Sequence, residues 1–239
     1  MKINNISKDR RIALFSGILI LLGIIVGVFS IVPAVESPNY LTEASENQNQ
    51  VLMGALFQFI LIPIYLGFAL LLYPIVSKYS ESLAIGFVGF RIIAQVFQLI
   101  GVIFMPLFVF LSQEYVTAAT TDRLYIQTFG ELLRLGRDLV NHVGVMSSTG
   151  LGNLILYYIF YKTKLIPRWL SVFGFVGNIL GIVASFLILF SIISVISREF
   201  IALSAPLVLQ EVILAFWLII KGFRLSESNL TSKPMRNTD

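Results

Sequence analysis

The chain has 239 residues, 57% hydrophobic and 13% charged, with a mean hydropathy of +0.88. A soluble domain is roughly a quarter charged, so this composition predicts an integral membrane protein with no room for a second sizeable soluble domain. Cysteine is absent, which excludes disulfides, thiolate metal sites and iron–sulfur clusters. The net charge of +4 is a matter of orientation here, not a nucleic-acid signal.

A spanning helix needs about 20 mostly apolar residues, and six stretches qualify. After a basic N-terminal segment, 1–11, the first runs over 12–34. It is too long for a signal-peptide apolar core of about 7–15 residues and reads as an uncleaved span. A polar, acidic loop, ESPNYLTEASENQNQ, leads to the second span, 51–76, and a short turn with Lys78 to the third, 83–111. Between Ser112 and Asp138, Tyr125, Phe129, Leu132 and Leu133 recur at helical spacing, with Arg123, Glu131, Arg134 and Asp138 on other faces. This predicts an amphipathic helix, capped by Thr121 or Asp122. It either lies on the outer leaflet or continues into the fourth span, and reads as a plain helical extension or as a lid over an outward cavity. The fourth, fifth and sixth spans follow at 139–161, 168–196 and 200–221, and a tail over 222–239 is expected to be cytoplasmic and disordered. The fold class is thus all-α: a polytopic six-helix transmembrane bundle with an amphipathic extracytoplasmic helix before the fourth span.

The loops orient this bundle. Twelve Lys and Arg residues fall on the side of the termini and four on the other. Basic residues accumulate on the cytoplasmic side, so both termini are expected in the cytoplasm of a multi-pass protein of the bacterial plasma membrane.

Within the third span, GFRIIAQVFQLIG carries Arg91, Gln95 and Gln98 at i, i+4 and i+7, one polar stripe on a helix. A charge at a helix centre costs about 2.5–3.5 kcal/mol even on the lenient insertion scale, so Arg91 needs a partner, a wet cavity or a route to the surface. At a rise of 1.5 Å per residue Arg91 lies about 12 Å deep, Asn153 about 14 Å, and Asn178 and Glu211 about 15 Å. Residues on four different helices therefore share one level. Asn178 is flanked by Gly174, Gly177 and Gly181, a small face that lets helices approach closely. Glu211 and Gln210 follow Pro206, which frees a backbone carbonyl. The expected site is a polar layer of Arg91, Gln95, Asn153, Asn178 and Glu211, with Glu211 countering Arg91. His142, the single histidine, and Ser148 lie toward the outer end of the fourth span. They form a second candidate, a proton-relay or polar site, against the blander reading of a satisfied interface histidine. No catalytic residues, metal ligands or cofactor are expected, since HExxH, GxSxG and P-loop patterns are absent.

Three stretches, LLYPIVSKYSESLAIGFVGFRII, LYYIFYKTKLIPRWLSVFGFVG and PLVLQEVILAFWLIIKGF, resemble the bacterial membrane family catalogued as domain of unknown function 4386. The resemblance runs from the second span to the end of the sixth and implies a polytopic fold without an assigned activity. That family's pattern commonly places an acidic residue directly after FRII. Ala94 stands there in this chain, which removes a local partner for Arg91.

Three functions compete. The first is binding or transport of a small polar, anionic or amphipathic molecule in a midplane pocket. The second is a structural or accessory role (a subunit, or a resistance or immunity factor) in which the ion pair only fixes helix register. The third is an intramembrane lipid-modifying enzyme. The partners expected are the bilayer, a small polar or lipid-like ligand and, as a further candidate, a second copy of the chain; nucleic acid is not among them.

Overall fold

The computed structural model describes residues 2–195 and 197–224, with side chains from Lys8 onward, so the tail expectation over 225–239 lies outside the described residues. All regular structure among them is helical. α1 (Lys2–Phe29) is followed by the short α2 (Pro33–Glu36) and α3 (Tyr40–Glu46), then α4 (Gln48–Val76) and α5 (Glu81–Thr117). α6 (Thr120–Asp138) runs through a π-helical segment, Leu139–Val145, into α7 (Met146–Thr163), and α8 (Arg168–Leu189) and α9 (Arg198–Ile220) complete the chain.

Helix ends follow from local chemistry. α1 stops at Phe29, five residues short of the expected 34, because Pro33 holds the preceding Val32 extended (φ −122, ψ 94) and opens α2 itself. α5 starts at Ser80, whose hydroxyl accepts from the Leu83 N–H. With 37 residues it is about 55 Å long and projects well beyond a hydrocarbon core of about 30 Å. α6 begins after Ala119 without a side-chain cap, so Thr121 and Asp122 lie inside its first turn rather than capping it. α7 ends at Lys164 in the left-handed region, φ 57. α8 ends at Leu189 with Ser191 again left-handed, although the apolar run continues further. Ser197 caps α9 by accepting from the Phe200 N–H at 3.1 Å.

Six helices, Lys8–Phe29, Gln48–Val76, Glu81–Thr117, Thr120–Thr163, Arg168–Leu189 and Arg198–Ile220, are long and apolar enough to cross a membrane. They form a closed ring in chain order: α1 packs on α4, α4 on α5, α5 on α7, α7 on α8, α8 on α9, and α9 returns to α1. Large apolar side chains such as Ile92, Ile93, Val96, Leu99 and Ile103 of α5 point outward. Buried polar residues Arg91, Gln95, Asn153, Asn178 and Gln210 lie within. Apolar outside and polar inside is the distribution that a bilayer, not water, rewards. The result is a six-helix membrane bundle.

The two ends of the ring differ. At the end that carries the N-terminus, a dense cluster including Leu72, Phe87, Leu156, Phe160, Leu170 and Leu218 fills the interior. Asp9 pairs with Lys78 at 2.7 Å, and Arg10 donates to the last carbonyls of α9, Leu218 at 2.9 Å and Ile219 at 2.6 Å, where a cation also meets the negative end of the helix. At the opposite end, α2 and α3 lie on α5 and α6. Tyr40, Leu41, Met105 and Phe108 form their core, Arg134 donates to the Glu36 and Ser37 carbonyls, and Arg137 pairs with Glu36.

Candidate functional site

Arg91 projects from α5 into the ring and is 4% exposed. Its Nη2 donates to Asn153 Oδ1 of α7 at 2.6 Å, Asn153 Nδ2 donates to Asn178 Oδ1 of α8 at 2.9 Å, and Asn178 Nδ2 donates to the Gly174 carbonyl at 2.7 Å. One polar chain thus crosses three helices. The guanidinium also lies over the rings of Phe68 (5.2 Å), Phe87 (5.9 Å) and Tyr65 (6.0 Å), contacts in which a cation meets the negative ring face. Its Nε has no partner among the described residues.

The glycines of α8 let this chain close. A Cβ on Gly174 would fall 2.5 Å from the Tyr157 ring, and one on Gly177 would fall 3.2 Å from the Leu207 backbone. α8 therefore lies close against α7 on one side and α9 on the other, which brings Asn178 within reach of Asn153. Beside it, Tyr157 donates to Gln210 Oε1 of α9 at 2.7 Å.

Glu211 is half-buried and, among the described residues, has neither a hydrogen bond nor an ion pair. The expected direct pairing with Arg91 is not formed; Asn153 is the direct partner instead. The two charges still act on each other electrostatically, because they line the same two cavities. A cavity of about 20 Å³, room for one water, lies among Ile20, Phe68, Asn153 and Leu214, with Tyr65, Arg91 and Glu211. A larger one of about 230 Å³ extends toward the α6 end among Thr149, Asn178, Phe200, Ser204 and Leu207, again with Tyr65, Arg91 and Glu211. Along that side no α9 residue before Gln210 is buried, and residues 138–149 are all half-exposed. The interior is therefore packed shut on the N-terminal side of Arg91 and loose on the other.

Of the expected polar layer, Arg91, Asn153, Asn178 and Glu211 meet at these cavities. Gln95 does not line them; it is buried with Oε1 unpartnered. His142 lies in the π-helical segment, where Nδ1 is 3.1 Å from the Asp138 carbonyl and the ring packs edge-on against Phe200 at 5.4 Å. Ser148 is half-exposed and neighbours the cavity residue Thr149. α6 contributes no lining residue to either cavity, so it extends the fourth span rather than covering the interior. Of its apolar residues Leu133 packs on the α3–α5 core, whereas Leu124, Tyr125, Phe129 and Leu132 face outward. Sequence reasoning missed Tyr65, Tyr157, Phe200 and Ser204, and noted Gln210 beside Pro206 without placing it in the polar layer. It also missed the π-helical segment, a feature that recurs at functional sites; Asn141 of that segment sits where a Gly101 Cβ would come within 2.4 Å of its Oδ1.

A family model described as a domain of unknown function (DUF4386) matches residues 15–222, so the likeness includes the first span as well as the later five. No curated protein and no solved structure gives a match.

Proposed function

The chain belongs to the DUF4386 family, and from that premise we propose that it binds or transports a small polar or amphipathic molecule in the centre of its helical ring, with Arg91 meeting an anionic group. The observation that carries this reading is a buried guanidinium with a free Nε that lines a cavity of about 230 Å³ and, among the described residues, forms no ion pair with a carboxylate. A cation held only to fix helix register would be expected to close on Glu211; here the two stand apart across space. Asn153 orients Arg91, Asn178 orients Asn153, and Glu211 forms the facing wall. Basic-residue bias supports cytoplasmic termini in a bacterial plasma membrane, which turns the loose side of the ring outward.

A second reading has its own observation. The unbroken Arg91–Asn153–Asn178–Gly174 chain also serves a structural or accessory protein, in which the polar layer sets helix register.

The test is compositional. Wild-type protein and the Arg91→Met variant are purified in parallel in native nanodiscs and their bound small molecules and lipids compared by mass spectrometry. Binding predicts an anionic-group-bearing species that is enriched with wild type and lost from Arg91→Met. Identical profiles from two equally folded samples would favour the structural reading.

A further inference from the structure

We propose that the central cavity takes a zwitterion, a compact group with an anion turned to Arg91 and an ammonium turned to Glu211. This rests on the reading of the cavity as a ligand site and names the class of ligand. Among the described residues Arg91 and Glu211 are the only charged side chains that line either cavity, and both line both. The site therefore sets one basic against one acidic group, and the two are not joined in an ion pair.

Neither simple ion suits that arrangement. An anion drawn to Arg91 meets the Glu211 carboxylate across the same cavity, and a cation drawn to Glu211 meets the guanidinium. In a low-dielectric interior such repulsions are several times stronger than in water. A zwitterion satisfies both charges at once and brings no net charge into the bilayer interior, where each bare ion is costly.

The neighbours fit the two ends. On the anionic side, Arg91 retains an unpartnered Nε and is held in place by Asn153. Ser204, a buried hydroxyl without a partner, lines the same cavity. On the cationic side, Glu211 has open acceptor oxygens, and Tyr65 lines both cavities with it. The volume, about 230 Å³, equals about eight waters of liquid. That leaves room for a small amino acid or a phosphoethanolamine headgroup. Val145, Met146, Leu207 and Val208 supply apolar walls around it.

The test uses the full chain in non-ionic maltoside micelles, which bring no charged or zwitterionic headgroup, and reads the thermal unfolding midpoint and the apparent Kd. The soluble probes are glycine, β-alanine and γ-aminobutyrate, set against butyrate and butylammonium, with phosphoethanolamine alongside. The lipid arm adds phosphatidylethanolamine or, separately, phosphatidylglycerol to the same micelles. At least one zwitterion should bind 10-fold or more tighter than both matched single ions, or phosphatidylethanolamine should stabilise where phosphatidylglycerol does not. The first result identifies a soluble ligand and the second a lipid headgroup. Glu211→Gln, close to isosteric, should bring zwitterion and single anion to within about 2-fold of each other. A single anion that binds wild type as tightly as any zwitterion overturns the inference and leaves the ligand-site reading standing. No response to any soluble or lipid probe overturns both.

Discussion

Replacing Asn153 with leucine removes the one side chain that holds Arg91 and Asn178 together. Arg91 loses a 2.6 Å bond and Asn178 loses its 2.9 Å donor. A hydrogen bond to a charged group contributes about 1.5–3 kcal/mol, whereas neutral interhelical bonds in membranes average about 0.6 and reach about 1.7. The first term dominates, and Asn153→Leu should cost about 2–5 kcal/mol. Asn178→Leu breaks only the second interhelical bond, and its backbone partner Gly174 lies on its own helix, so it should cost about 0.6–1.7 kcal/mol. Arg91→Met combined with Asn153→Leu should recover part of the loss, giving a coupling of about 1.5–3 kcal/mol. Equilibrium unfolding in mixed micelles, run as a double-mutant cycle, measures all of these. Strictly additive losses, or a larger cost at Asn178 than at Asn153, would refute the assignment of Asn153 as the partner that holds Arg91.

Gly174→Ala places a methyl 2.5 Å from the Tyr157 ring; moving that ring breaks the Tyr157–Gln210 bond, and the protein should lose about 1–3 kcal/mol, seen as a lower unfolding midpoint. Glu36→Gln removes the carboxylate that meets Nη2 of the buried Arg137, whose Nε and Nη1 have no partner among the described residues; proteolysis within residues 30–47 should accelerate while the unfolding midpoint of the ring changes little. Burial first, then the Glu131 carboxylate, raises the Tyr40 phenol above its ordinary value of 10.0. Its contribution to stability is therefore complete below about pH 10 and is lost as pH rises through the folded value, so Tyr40→Phe should flatten the alkaline limb of stability against pH. The proposed orientation predicts that a cysteine at Asn47 is labelled in intact cells by a membrane-impermeant reagent and one at Ser232 is not.

The spans were legible because a helix that crosses hydrocarbon must be apolar for about 20 residues, and the basic turns at Lys78 and at Lys162–Arg168 mark where the helices re-enter. The shared depth of Arg91, Asn153, Asn178 and Glu211 was legible from helix rise alone. Depth, however, says nothing of direction around the helix axis. That is why Glu211 was the expected partner of Arg91 when Asn153 stands nearer, and why Gln95, on the same stripe of α5 but one turn further along, falls outside the cavities. Tyr65 and Tyr157 read as apolar residues of their spans, and their hydroxyls and ring faces acquire a role only once six helices enclose them. The end of α1 was readable at Pro33. The end of α8 at Leu189 was not, since the apolar run continues and the left-handed Ser191 that breaks it leaves no mark on hydropathy. The π-helical register over Leu139–Val145 is likewise a packing outcome, in which the segment fits against Gly101 and Phe97 of α5.

The proposed ligand path requires an interior that is sealed toward the termini and reachable from the α6 side. Natural absence of cysteine makes this directly measurable with two single-cysteine variants, Thr149→Cys on the larger cavity and Leu156→Cys in the packed core. A small impermeant thiol reagent added to intact cells should modify Thr149→Cys and leave Leu156→Cys untouched. A Thr149→Cys that reacts only from the cytoplasmic face, in inverted vesicles, or from neither face would contradict it.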